Sequence, residues 1–244
     1  MSKISFIIPV LNEVKTLKQA INQIVELNYE NKEIIIVDNG SNDGSVDIIK
    51  LFQKIPNFKI YLKKNNTGYG NSIKEAISLS SGDYIYIQYA DLEYDHYLSL
   101  EMLKICIDKK LDAMFGSRLK GKIRSIKDLI QLLFFKPAYL ATLICTFLIN
   151  KFYNKNFTDI IGTKFYKKKI FDTLQINSEG QGFDFELVSK MCKNNLKIEE
   201  IFVNYTPRKN SSEKKIKFYH IFVALFEIFK VKFFEKIYAK QRNN

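Results

Sequence analysis

The chain has 244 residues, 46% of them hydrophobic, and a formal charge of +12. That length suits one sizeable domain, or an α/β core with an appended helical segment. The only histidines, His96 and His220, and three scattered cysteines, Cys106, Cys145 and Cys192, argue against a histidine-built metal centre, Ser-His chemistry, a zinc cluster or a disulfide framework. Metal or acid–base work then falls to carboxylates, and the thiols fit a reducing cytosol.

The first apolar run, ISFIIPV (4–10), is too short for a signal peptide and reads as a strand. Further β-branched and aromatic runs follow at 33–38 (EIIIVD), 58–64 (FKIYLKK) and 83–88 (DYIYIQ). Segments of helical period lie between them, Val14 to Leu27, Ser45 to Gln53 and Ser72 to Leu79. This alternation predicts an α/β fold, a mostly parallel sheet with helices on both faces. Ligands bind such sheets beyond the carboxyl ends of the strands. The four segments there are PVLNE, DNGSNDGS, NNTGYGNS and QYADLEYD, each polar or glycine-rich. Asn-Gly, Asp-Gly and Thr-Gly pairs are ordinary turn formers one at a time. Four of them converging on one edge resemble a nucleotide pocket.

Later in the chain, Leu129 to Tyr153 is strongly apolar but broken by Lys136 and Pro137. The uninterrupted part, Ala138 to Ile149, is shorter than the roughly 20 residues of a spanning helix. Residues 204–244 carry ten Lys/Arg against three acids, a net +7. Phe218, Ile221, Phe222, Leu225, Phe229 and Phe233 recur there at helical spacing, so an apolar face adjoins a basic one. An anionic membrane surface fits this better than nucleic acid, and packing of the helix on its own domain explains the same residues. The expected division is a catalytic domain over 1–210 and a basic amphipathic tail over 211–244.

Eight pieces in order, FIIPVLNE, EIIIVDNGSNDGS, NNTGYGNSIKEAI, GDYIYIQYADLEYD, MFGSR, FTDIIGTKFY, GQGFDFELV and YTPRKNSSEKKIK, resemble the family 2 glycosyltransferases of GT-A fold. Within them the similarity is to the polyprenyl-phosphate, dolichol-phosphate mannose synthase-like branch. The resemblance covers about Ser5 to Lys232. It implies a metal-assisted, inverting transfer from a UDP- or GDP-sugar to a polyprenyl phosphate or lipid-linked glycan, in cell-envelope polysaccharide synthesis. The place of work would be the cytoplasmic face of the membrane, with no nucleic acid involved.

The same resemblance implies site residues. Pro9, Leu11, Asn12, Glu13, Asp38, Asn39, Gly68, Tyr89, Ala90, Asp91 and Arg118 would meet the donor, and Asp91 with Glu93 would hold Mg²⁺ or Mn²⁺. Arg118 suits two phosphate oxygens through its guanidinium fork. Asp159 would position or deprotonate the acceptor and Glu186 is a second candidate base, while capping or pairing with lysines would explain both carboxylates structurally. Lys164, Arg208 and Lys214 would meet the acceptor or its phosphate. An acceptor that is already a phosphate needs no strong base.

The chain departs from the pattern at Tyr89, where the first aspartate of the metal motif is expected. A phenol titrating near 10 supplies no charge at neutral pH. Two readings follow: a working site centred on Asp91, or a catalytically silent fold that binds nucleotide sugar or a partner. A nucleotidyltransferase is disfavoured, because PVLNE lacks the basic glycine-rich first loop expected there.

Overall fold

The computed structural model describes residues 1–122, 125–135, 139–207 and 219–236. Seven strands form one sheet: β1 (Ile4–Val10), β2 (Lys32–Asp38), β3 (Phe58–Leu62), β4 (Tyr84–Ile87), β5 (Ala113–Ser117), β6 (Lys164–Lys167) and β7 (Ile198–Phe202). Their order is β3-β2-β1-β4-β6-β5-β7. β6 runs antiparallel to both β4 and β5, and the other pairings are parallel. Because β6 reverses direction twice, β4 and β5 still end on the same edge as β1 and β2. The expected mostly parallel sheet is therefore present, and its carboxyl-end loops share one side.

Burial on both faces explains why the strands read as unbroken apolar runs. Ile7, Ile35, Val37, Ile85 and Ile87 face one core, and Phe6, Ile8, Ile34, Ile36 and Tyr86 the other. On the first face lie α3 (Tyr69–Leu79), α6 (Tyr139–Tyr153), α8 (Phe183–Lys193) and α9 (His220–Phe234). On the second lie α1 (Leu17–Val25), α2 (Ser45–Lys50) and α4 (Leu98–Asp108). The remaining helices are α5 (Ile126–Phe135) and α7 (Lys168–Leu174).

Helix boundaries differ from the periodicity at two functional loops. α1 starts at Leu17 rather than Val14 because residues 12–14 are laced to the next loop. The Asn12 N–H donates to Ser41 Oγ, the Glu13 N–H to Ser45 Oγ and the Val14 N–H to Asp43 Oδ2, at 2.9 to 3.0 Å. α3 starts earlier than expected, at Tyr69, with Gly68 at its N-cap. Gly68 has φ +100° and a Cβ there would lie 2.4 Å from Glu179 O, so only glycine fits this crossing.

The described part of the tail packs on the domain. Ala224 and Ile228 of α9 join the main core, and the Lys193 Nζ donates to Val231 O, Lys232 O and Glu235 O at the end of that helix. Residues 208–218 and 237–244, which hold Arg208, Lys214 and most of the tail's basic residues, lie outside the described residues. No described helix is long and apolar enough to cross a membrane.

The amino ends of the strands are tied by Glu33, 2% exposed. Its carboxylate accepts from Ser5 Oγ (2.6 Å), Ser81 N (2.5 Å) and Ser81 Oγ (2.9 Å), and lies within 3.2 Å of Lys3 and 3.1 Å of Lys59. Burial disfavours its charge, but the donors from Ser5, Ser81 and Lys59 outweigh that and bring its pKa down to about 2. A depressed carboxylate stabilises the fold above its unfolded pKa of roughly 4.3 and loses that contribution as pH falls towards 2. Thermal melts of the wild type should therefore decline through that window. Glu33→Gln should give a flatter acid limb and lose about 1–3 kcal/mol at neutral pH. Superimposable pH curves would show that Glu33 is not coupled to folding.

Candidate active site

Asp38 ends β2 in full burial. Its Oδ2 accepts the N–H groups of Gly40 and Ser41, both at 3.0 Å, which fixes the side chain beneath the following turn. Its Oδ1 is buried and has no hydrogen-bond partner among the described residues. A buried acceptor left open costs free energy unless a ligand satisfies it.

The neighbouring loops brace this acceptor. Asn12 Oδ1 accepts from Asn42 N at 2.9 Å. Asn39 is used inside the protein: its Nδ2 donates to Asn66 Oδ1 at 2.7 Å and its Oδ1 accepts from Thr67 N at 2.9 Å. It joins the loop before Gly68 to the loop after β2. Pro9 and Leu11 are part-exposed at the end of β1, Glu13 is nearly buried where that loop turns into α1, and Ala90 is buried in the second core.

The loop after β4 carries the acids. Asp91 Oδ1 accepts from Glu93 N at 3.1 Å, folding the turn back on itself. Leu92 between them has φ 60°. A bulky non-glycine residue in the left-handed region is strained, and such strain concentrates at functional turns. Asp91 and Glu93 are both part-exposed. Among the described residues, no three His, Cys, Asp or Glu gather closely enough to hold a metal. Magnesium-type ions are commonly held by one or two carboxylates plus substrate phosphates. Asp91 and Glu93 fit an ion of that kind, one whose remaining oxygens arrive with a diphosphate.

Tyr89 is built into a row of aromatic rings. Its hydroxyl lies 3.3 Å from Tyr69 OH, and its ring centroid 5.7 Å from Tyr94. Tyr94 lies 5.2 Å from Tyr205 and pairs with it in an isolated antiparallel bridge. Burial, followed by the nearby Asp184 charge, holds the Tyr89 phenol well above its ordinary pKa, so it stays neutral.

The row ends on Arg118, whose guanidinium carbon is 5.2 Å from the Tyr205 ring centroid and 5.1 Å from that of Tyr139. Its Nε and Nη2 donate to Asp159 Oδ2 (2.6 Å) and Oδ1 (3.1 Å), a bidentate pair. Asp159 is fully buried and also accepts the N–H groups of Arg118 and Ile161. Burial opposes its charge, but Arg118 and those N–H groups prevail and hold the carboxyl below its usual range. Asp159 is thus ionised and fully engaged, poorly suited to accept a proton. Glu200 braces the same loop, accepting from Thr158 N (2.8 Å) and Asp159 N (3.0 Å).

Lys164 and Glu186 do not meet solvent, with exposures of 1% and 0%. Lys164 is ion-paired with Asp184 at 3.1 Å. Glu186 pairs with Lys190 at 2.6 Å and accepts from Asn177 N and Ser178 N, which sets the loop that crosses Gly68. Arg208 and Lys214 lie outside the described residues. Tyr69, Tyr94, Tyr139, Tyr205 and Glu200 were not legible as site residues, since nothing in their spacing separates them from the chain's other aromatic and acidic residues.

Residues 5–175 match the profile of Glycosyl transferase family 2, and the chain belongs to that family of enzymes. One relative is the poly-β-1,6-N-acetyl-D-glucosamine synthase of Staphylococcus epidermidis, 32% identical over 132 residues. That match takes in 51% of this chain and 32% of the synthase, so the chain spans about a third of the relative's length. Among solved structures, Mycobacterium tuberculosis glucosyl-3-phosphoglycerate synthase with Mn²⁺, UDP and its product superposes with TM-score 0.62 at 16% identity, over 94% of this chain and 78% of that one. S. aureus TarS 1–349 with UDP-GlcNAc gives 0.60 at 14% identity, over 92% and 66%. These superpositions bear out the GT-A fold.

The packing of Tyr89 makes a sharp expectation. Tyr89→Phe loses only the contact to Tyr69 and should change stability by about 1 kcal/mol or less. Tyr89→Asp would break the row of rings and set a carboxylate near Asp184 at a part-exposed position, and should destabilise by about 1–3 kcal/mol. Denaturant titration of both variants checks this, and an Asp variant as stable as the wild type would show that the row of rings does not depend on Tyr89.

Proposed function

We propose that this chain transfers a sugar from a UDP-sugar to a lipid phosphate with inversion at the anomeric carbon. The observation that carries the reading is the open, buried Oδ1 of Asp38 at the sheet edge. An imino N–H of a nucleobase is the ligand group that would satisfy it. Uracil is put ahead of guanine because structural relatives are described with UDP and UDP-GlcNAc, against one, Pyrobaculum calidifontis PcManGT, described with GDP-Man.

The chemical difficulty is the negative charge that gathers on the diphosphate as the anomeric bond breaks. Asp91, with Glu93 as a second or water-mediated ligand, would hold Mg²⁺ or Mn²⁺, which supplies Lewis-acid stabilisation of that charge. Arg118 contributes from the other side. Its Nε and Nη2 are committed to Asp159, and its Nη1 has no partner among the described residues, so that edge of the fork is available to a phosphate oxygen. The rings of Tyr139 and Tyr205 cover the guanidinium faces and leave in-plane approach as the route.

The acceptor side follows from what the candidate bases are doing. Asp159 is locked to Arg118 and Glu186 to Lys190, so neither is free to take a proton. A phosphate acceptor brings its own anionic oxygen and needs none. The relation to a synthase named for a polysaccharide product favours a second reading, in which a sugar hydroxyl attacks and a carboxylate must be released to deprotonate it.

A panel of nucleotide sugars with Mn²⁺, measuring UDP or GDP release with and without polyprenyl phosphate, tests the assignment. UDP release stimulated by the lipid phosphate is expected, whereas stimulation by glycans alone would select the second reading. An absence of release with every donor would reduce the protein to a binder. Asp91→Asn should lower turnover by about 10²-fold or more, the scale of losing a principal stabiliser of transition-state charge. Asp38→Asn should mainly raise the donor KM, by about tenfold or more, because its amide could present a donor where an acceptor is needed. An unchanged KM in that variant would remove the nucleobase from Asp38.

A further inference from the structure

α6 connects the site to a second surface. It starts at Tyr139, on the Arg118 guanidinium, and ends at Tyr153 beside a cleft of about 360 Å³ lined by Lys151, Phe152, Lys193 and Lys232. Fifteen residues at 1.5 Å each separate the two by roughly 20 Å.

The inner side of α6 is already filled by Thr142, Cys145, Thr146 and Ile149, and that of α9 by Ala224, Glu227, Ile228 and Val231. What remains outside is apolar. Leu140, Ile144 and Phe147 follow one another at helical spacing on α6, as do Phe222, Phe226, Phe229 and Phe233 on α9, and all are exposed. Phe147 is 65% and Phe226 64% exposed. The two helices adjoin at their carboxyl-terminal ends, where the part-buried Phe152 meets Phe229 at 5.4 Å and Phe233 at 5.8 Å. Large apolar side chains exposed in this number on neighbouring helices mark an interaction surface.

The charge beside it is mostly basic. α6 has no acid, the single acid of α9, Glu227, is buried and paired with Lys230 at 3.1 Å, and Glu235 just past α9 is paired with Lys190 at 2.9 Å. Lys232 spends one donor on Phe152 O, Lys193 caps the end of α9, and Lys151 extends into solvent at the rim. Exposed phenylalanines next to lysines on helices lying side by side are the make-up of an interfacial surface for anionic lipid.

We propose that the α6–α9 face docks on an anionic bilayer, its phenylalanines entering the interfacial region and the lysine-lined cleft taking a lipid phosphate. The consequence for catalysis rests on the lipid-phosphate reading above: an acceptor held in the same bilayer would reach Arg118 along α6. The docking itself is independent of that reading.

Flotation of the full chain tests it, using vesicles of phosphatidylcholine alone and of phosphatidylcholine with phosphatidylglycerol, at low and high salt. Recovery is expected with the anionic vesicles and should fall as salt screens the lysines. Phe147→Ser/Phe226→Ser should abolish it, and Lys151→Glu, which reverses one charge at the cleft, should weaken it about tenfold. Thermal melts confirm that these surface variants fold. Equal recovery on neutral and anionic vesicles, wild-type recovery of the phenylalanine pair variant, or a stable dimer that ignores vesicles would each overturn the proposal. UDP release measured with a short-chain, water-soluble polyprenyl phosphate and no vesicles reads the active site separately. Release without flotation sinks the docking alone, and flotation without release sinks the functional reading alone.

Discussion

The bidentate pair between Arg118 and Asp159 is the interaction on which the reactive edge depends. Two charges taken out of water are tolerated only when each finds several partners. Here the guanidinium meets both carboxylate oxygens, and backbone N–H groups of Arg118 and Ile161 complete the shell. The loop carrying Asp159 can come this close because it lies directly on β5. A Cβ at Gly162 would stand 1.8 Å from Gly116 O, so the approach exists only with glycine there. From this fixed pair the tyrosines take their places, two covering the guanidinium and the others continuing the row to α3.

That row changes how the site handles charge. A carboxylate at position 89 would share the burden of a cation with Asp91, and Tyr89 instead turns its hydroxyl to Tyr69 and lends a wall of low polarity. In such surroundings a positive group acts more strongly than in water. On the proposed reading, fewer protein carboxylates and a more shielded arginine would shift the task of neutralising a diphosphate towards Arg118. The substitution is therefore part of a packed arrangement and not an isolated loss.

The helices that cover one face of the sheet serve two ends at once. α6 and α9 close the core with one side and present phenylalanines on the other. Their polar fastening is internal: Glu186, Lys190 and Lys193 tie α8 to the end of α9. The glycosyltransferase edge and the apolar face are thus held in one rigid relation by the same helix.

The strands, their parallel sense, the glycine-rich loops and the acids at the strand ends were legible in the sequence, because burial on both faces and tight turns each restrict residue type locally. Asp38 could be named from its place at a strand tip, whereas Asp91 and Arg118 were named through the family resemblance of QYADLEYD and MFGSR. Long-range partnership was not legible. Asp159 and Glu186 could be read in the chain either as bases or as structural carboxylates, and only folding decides it by bringing Arg118 and Lys190 against them. Lys164 was expected to meet the acceptor, but β6 is inserted between β4 and β5 and buries it beside Asp184. Tyr94, Tyr139 and Tyr205 come from three distant segments and carry no common spacing, so their stacking exists only in the tertiary structure. The sequence by itself determined which residues stand at the sheet edge, since strand period and turn chemistry are local. The tertiary structure alone decided which of their charges are already spent, since that depends on neighbours far away in the chain.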